Sequence, residues 1–144
     1  MRNTADHGRP PAFPEGDAGL LSTADDIFAF SRFLLRGGLA GDGTRLIRAS
    51  RVAAMTRNQL TPAQCAAGVP ILSAGWGWGY GVAVALQDSP EGVPAGAFGW
   101  NGGSGTSWRM DPADDRTVIL LTGTAFTSPD PPLVHKALWR LAFG

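Results

Sequence analysis

Lysine is almost absent from this chain. Of 12 basic side chains in 144 residues only Lys136 is a lysine, so any chemistry that needs an ammonium group has one candidate. Charge of one sign is also missing, because 12 acidic residues balance the 12 basic ones and no polyanion-binding surface follows. There is one cysteine, Cys65, which excludes an internal disulfide and reads as a small apolar residue near a helical loop. There is one tyrosine, Tyr80, and there are two histidines, His7 and His135. Neither histidine has a carboxylate patterned to pair with it, and no His/Cys/Asp group has zinc spacing, so both read as solvated surface residues and no metal or cofactor is implied. No apolar run reaches the length of a membrane helix and no charged-then-apolar leader follows Met1, so neither a span nor a signal peptide is read and the compartment stays open.

What is present is glycine (20), proline (11) and enough apolar material, 44%, to build a core. Residues 1–18 are rich in Pro, Gly and Asp without periodicity and read as an extended loop. Residues 19–68 read as helical. Ser22 and Asp25 offer a cap and a first-turn carboxylate, Ile27, Phe30 and Leu34 recur at helical spacing, and Gly37-Gly38 stops the helix. Ser50 is placed to cap a second helix through Leu60, and Thr61-Pro62-Ala63-Gln64 a third. Residues 76–123 read as sheet. Tyr80, Val82, Val84 and Leu86 alternate with Gly79, Gly81, Ala83 and Ala85, which predicts one strand with a large face and a small face, the small one pressed by a helix or another backbone. Strands follow at 97–101 and 107–110, then a hairpin turn at 111–115 and a buried strand from Arg116. From Pro131 to Gly144, Leu133, Val134, Ala137, Leu138, Leu141 and Ala142 form an apolar stripe, which predicts a terminal helix lying across the sheet on that stripe. The order predicts an α+β fold in one domain: helices, an antiparallel meander, and a C-terminal helix packed across it.

Nucleophilic catalysis is tested by spacing. Three residues before Lys136 stands Leu133, so Ser-x-x-Lys is absent, and the glycines around Ser104 do not fit a Gly-x-Ser-x-Gly elbow. The glycine cluster from Gly99 to Gly105 has no helix after it, so it is not a phosphate cradle. It does let a ligand lie against backbone and offers main-chain N–H groups to it. Trp76, Trp78, Trp100 and Trp108 leave a second reading open, a non-enzymatic platform for glycans or peptidoglycan.

The segment Phe98 to Trp108, FGWNGGSGTSW, followed by Asp111-Pro112 and a VILLTG strand, resembles the C-terminal part of serine β-lactamase-related hydrolases. That set includes class C β-lactamases, penicillin-binding-protein-like peptidases and β-lactamase-type esterases. The stretch GLLSTADDIFAFSRFLLRGG, preceded by RPPAFPEG, is similar to the segment before the same sheet. The resemblance implies a partial transpeptidase-like fold and acyl-enzyme hydrolysis of an ester, amide, peptide or β-lactam in the complete protein. By resemblance Trp100-Asn101-Gly102 takes the place of the Lys-Thr-Gly element, and the Gly103 N–H that of one oxyanion donor. Tryptophan in place of lysine removes the cation that holds a substrate carboxylate, which points to an esterase-like hydrolase. The Ser-x-x-Lys element is missing, as is Tyr-x-Asn or Ser-x-Asn, so the catalytic set is incomplete. The chain therefore reads as the C-terminal portion of such a hydrolase, inactive alone, with Met1 as an internal start. Either a partner chain supplies the missing serine and lysine, or the uncovered sheet self-associates.

Overall fold

The computed structural model describes residues 20–144; the loop read at 1–18, and His7 with it, lies outside the described residues. Four helices, α1 (Ala24–Leu35), α2 (Ala49–Met55), α3 (Pro62–Leu72) and α4 (Leu133–Phe143), accompany five strands. These are β1 (Trp76–Trp78), β2 (Ala83–Ala85), β3 (Phe98–Asn101), β4 (Ser107–Asp111) and β5 (Arg116–Leu120), in sheet order β1-β2-β3-β4-β5 with every pair antiparallel. The fold is the α+β meander that the order of segments predicts.

Local chemistry fixes the ends of the helices. The α1 cap is Thr23 rather than Ser22; its hydroxyl oxygen accepts from the Asp26 N–H at 3.1 Å. Gly37, with φ of 63°, then ends the helix where the glycine pair predicts. The second helix departs from expectation: it begins at Ala49 without a side-chain cap, so Ser50 lies inside it, and it stops at Met55 rather than Leu60. Thr61 and Gln64 form a reciprocal capping box for α3, with Pro62 at its first position. That helix runs on to Leu72, past the expected boundary at 68.

The segment 76–86 is not one strand but a hairpin. Gly81 adopts φ of 93° and the chain reverses, pairing Trp76 with Ala85 and Trp78 with Ala83. Tyr80 therefore sits exposed in the turn and Leu86 lies outside the ladder, while Val82 and Val84 are buried. β5 is half-buried throughout, not enclosed on both sides.

The register divides the sheet into two faces, since directly opposed residues point the same way. Val84, Phe98, Trp108 and Met110 face α1 and α2, forming a core with Leu34 and Val52. Ala85, Ala97 and Trp76 face α4 and pack with Val93, Trp139 and Phe143. The small-residue face thus does admit a helix, as expected. That helix arrives on a different stripe, however. His135 and Trp139, four residues apart, are its buried positions, whereas Leu133 and Leu141 are 82% and 84% exposed. Trp139 seats against Ala85, Ala97 and Val93, and with that face turned inward Leu133 and Leu141 point to solvent.

Candidate functional site

β3 and its following turn carry the segment Trp100-Asn101-Gly102-Gly103. Gly99 lets β3 approach β4 closely: a Cβ there would collide with the Trp108 carbonyl, and φ is +149°. Asn101 ends the strand, and its Oδ1 accepts from the Ser107 hydroxyl at 2.9 Å. The turn then closes on itself, Gly102 N–H donating to Thr106 and Gly105 N–H to Gly102, both at 2.9 Å.

Three contacts hold this turn from behind. The Gly105 carbonyl accepts from the Thr122 hydroxyl at 2.8 Å and from His135 Nε2 at 3.0 Å, and the Gly103 carbonyl accepts from the Phe126 N–H at 2.9 Å. Gly105 has φ of 105°, and a Cβ there would strike Thr124 and Thr122, so only glycine fits. With its neighbours so engaged, the Gly103 N–H makes no hydrogen bond among the described residues, and Gly103 is exposed. A main-chain donor without a partner thus sits in a turn whose carbonyls are held.

Trp100, Asn101 and Gly103 line one cavity of about 510 Å³, which Gly102 does not border. The cavity also borders Trp76, Arg109, Phe126, Lys136 and Trp139. Trp78 meets Trp100 edge-on at 4.7 Å, because β2 starts only at Ala83 and no strand lies between them beyond that point. Trp108 is elsewhere, stacked on Phe30 of α1 at 5.8 Å. The four tryptophans of the platform reading therefore do not form one surface. Lys136 is tied to Asp130 at 2.7 Å. No group of His, Cys, Asp and Glu among the described residues could hold a metal ion.

His135 overturns its expected exposure. It is 1% exposed, lies edge-on to Phe126 at 4.9 Å, and clamps the glycine turn. A carbonyl only accepts, so Nε2 carries the ring proton and Nδ1, which has no partner, is bare. Burial pulls its pKa below 6.5 and the nearby Arg109 adds to the fall, against the bond to Gly105.

Arg109, on β4, is the second residue that sequence reasoning missed. It is 5% exposed and stacks between Trp76 and Trp139. A signal existed in the alternation of β4: Trp108 and Met110 belong to the α1 face, which sends Arg109 to the other. For His135 the signal was its spacing of four and eight from Trp139 and Phe143, a stripe that competes with the aliphatic one.

Comparison with known proteins gives the family of the chain. The β-lactamase family matches residues 1–142. Esterase EstB of Burkholderia gladioli is 35% identical over 126 residues, covering 86% of this chain and 29% of the esterase. Penicillin-binding protein 4 of Amycolatopsis lactamdurans is 37% identical over 125 residues, with coverage of 85% and 31%. Among solved structures, EstCE1, a hydrolase with promiscuous acyltransferase activity, superposes with a TM-score of 0.70 at 29% identity, over 92% of this chain and 32% of that one. Simvastatin synthase (LovD) from Aspergillus terreus shares the fold, with a TM-score of 0.67 at 23% identity, over 99% of this chain and 38% of that one. The chain spans about a third of the length of the curated relatives it matches. By sequence and by fold, this chain belongs to the β-lactamase family.

Proposed function

We propose that this chain supplies the sheet wall and one oxyanion donor of an acyl-transfer site that hydrolyses an ester or amide. The observation that carries the reading is the unengaged Gly103 N–H, held on a rigid turn at the rim of the cavity that Trp100 and Asn101 line. A preorganised donor of this kind stabilises a tetrahedral oxyanion by roughly 3 kcal/mol in a complete serine hydrolase. The nucleophile is not in the chain: Lys136 follows Leu133 by three, and its ammonium is occupied by Asp130. The serine and its base come from a second segment carrying Ser-x-x-Lys, in keeping with a chain that spans a third of its relatives. Tryptophan at position 100 leaves this strand without the cation of the Lys-Thr-Gly element, which favours esters over β-lactams.

The test is active-site labelling. The 144-residue chain alone is expected to remain unlabelled by a fluorophosphonate or a fluorescent penicillin. Co-expression with a segment of this family bearing Ser-x-x-Lys is expected to restore labelling on that segment's serine. A labelled serine within the chain alone would overturn the reading.

A further inference from the structure

A sheet edge carries a row of main-chain donors and acceptors that a protein must pair, cover or defend. The two edges of this sheet differ. At β1 the outward-directed residue Trp78 has both groups taken: its N–H donates to Asn58 Oδ1 at 3.1 Å and its carbonyl accepts from the Gln59 N–H at 2.8 Å. At β5 the ladder itself shows which groups are left over. Gly102 N–H donates to the opposed Thr106 carbonyl, and bonded and unbonded positions alternate along an antiparallel pair. Thr106, Trp108 and Met110 therefore direct their main-chain groups at β3, whereas Ser107, Arg109 and Asp111 direct theirs at β5. Leu120, Val118 and Arg116 answer them, which turns the N–H and carbonyl of Thr117 and Ile119 away from the sheet. No hydrogen bond among the described residues reaches these groups.

This edge has none of the usual defences. β5 keeps register with β4 from Arg116 to Leu120 without a bulge, and it contains neither proline nor lysine. Its one charge, Arg116, is drawn back to Asp114 of its own hairpin at 3.0 Å. On the α1 side, Arg32 pairs with Asp115 at the start of the strand, and Phe28, one turn earlier on the same flank of the helix, is 51% exposed.

We propose that β5 is a self-association edge, pairing antiparallel with β5 of a second copy of this chain about a two-fold axis at Val118. Centred there, the pairing uses the whole strand. Thr117 opposes Ile119 of the second copy and Ile119 opposes its Thr117, so every outward N–H and carbonyl gains a partner. Arg116 opposes Leu120 and Val118 opposes Val118, so no like charges meet across the seam. Because the β1 edge is blocked at Trp78, each copy offers one edge, and the pairing closes at two copies. The contact involves neither the glycine turn nor the cavity, and it goes beyond the acyl-transfer reading.

Disulfide trapping in a Cys65→Ser background tests the register. Val118→Cys sets two thiols opposite each other at an unbonded pair, with Cα atoms about 4.5 Å apart and within disulfide reach. Leu120→Cys sets them about 14 Å apart, four residues along the strand and out of reach. Under mild oxidation Val118→Cys is expected to run as a linked dimer on non-reducing electrophoresis, and Leu120→Cys as a monomer. Thr117→Pro removes an outward N–H that the sheet does not use. It is expected to stay folded by circular dichroism and to sediment as a smaller species than the parent chain. Equal linking of the two cysteine variants overturns the proposal, as does an unlinked Val118→Cys, the result if the edge takes a strand from another polypeptide. Unchanged sedimentation of a folded Thr117→Pro also overturns it; if that variant does not fold, trapping alone decides.

Discussion

Ser31→Ala tests how the helical layer is fastened to the sheet. Ser31 is fully buried, its hydroxyl donating to the Ile27 carbonyl at 2.6 Å and accepting from Trp108 Nε1 at 2.7 Å. Removing the hydroxyl leaves the indole N–H without its acceptor, a loss of about 1–3 kcal/mol for a desolvated donor. Alanine in a helix interior returns about 0.5 kcal/mol over serine. The Ile27 carbonyl keeps its helical environment and adds little. The net destabilisation is therefore about 0.5–2.5 kcal/mol, which lowers Tm by roughly 2–8 °C in a chain of this size. The assay is thermal unfolding followed by near-ultraviolet circular dichroism, for Ser31→Ala, Trp108→Phe and the double variant. A double-mutant cycle should give a coupling of about 0.5–1.5 kcal/mol, because both changes act on one hydrogen bond. Additive effects, or a Ser31→Ala chain as stable as the parent, would refute this account of the α1–β4 contact.

The pH dependence has a defined sign. Because burial holds the folded-state pKa of His135 below 6.5, the unfolded chain binds more protons under acid conditions, and stability falls as pH drops below about 6.5. Urea midpoints measured from about pH 7 to pH 5 should fall in the wild type and flatten in His135→Gln, which stays neutral across that range. An unchanged slope in the variant removes His135 as the cause. On α4, the exposed Leu133 and Leu141 should drive self-association, since such a stripe is larger than scattered surface leucines. Sedimentation velocity should show oligomers for the parent chain and a smaller species for the double change Leu133→Gln, Leu141→Gln. A monodisperse parent monomer contradicts it.

Local rules account for most of what was legible from the residues. The α3 capping box, the glycine stop after α1, the tight return at Asp111–Asp115 and the order of the meander are consequences of neighbours a few positions apart. The places where expectation failed are those where competing local signals exist and distant contacts choose between them. Glycine at position 81, with φ of 93°, turned an alternating run into a hairpin that pairs Trp76 with Ala85 and brings both into the cluster beneath α4. Two helical stripes were available on α4, and the small floor of Ala85 and Ala97 selected the one that carries Trp139.

For the candidate site, the resemblance carried by FGWNGGSGTSW is what singled out Trp100-Asn101-Gly102-Gly103, whereas the absence of a Ser-x-x-Lys pair at Lys136 is a matter of spacing along the chain. The tertiary structure alone decided that His135 and Thr122 clamp the turn, that the Gly103 N–H is left unengaged, and that Arg109 lies between two indoles over a glycine. Those residues stand 17 to 30 positions from Gly105, or on separate strands and helices. A charge and its environment are brought together by packing, and no local pattern along β4 distinguishes a buried guanidinium from one that reaches water.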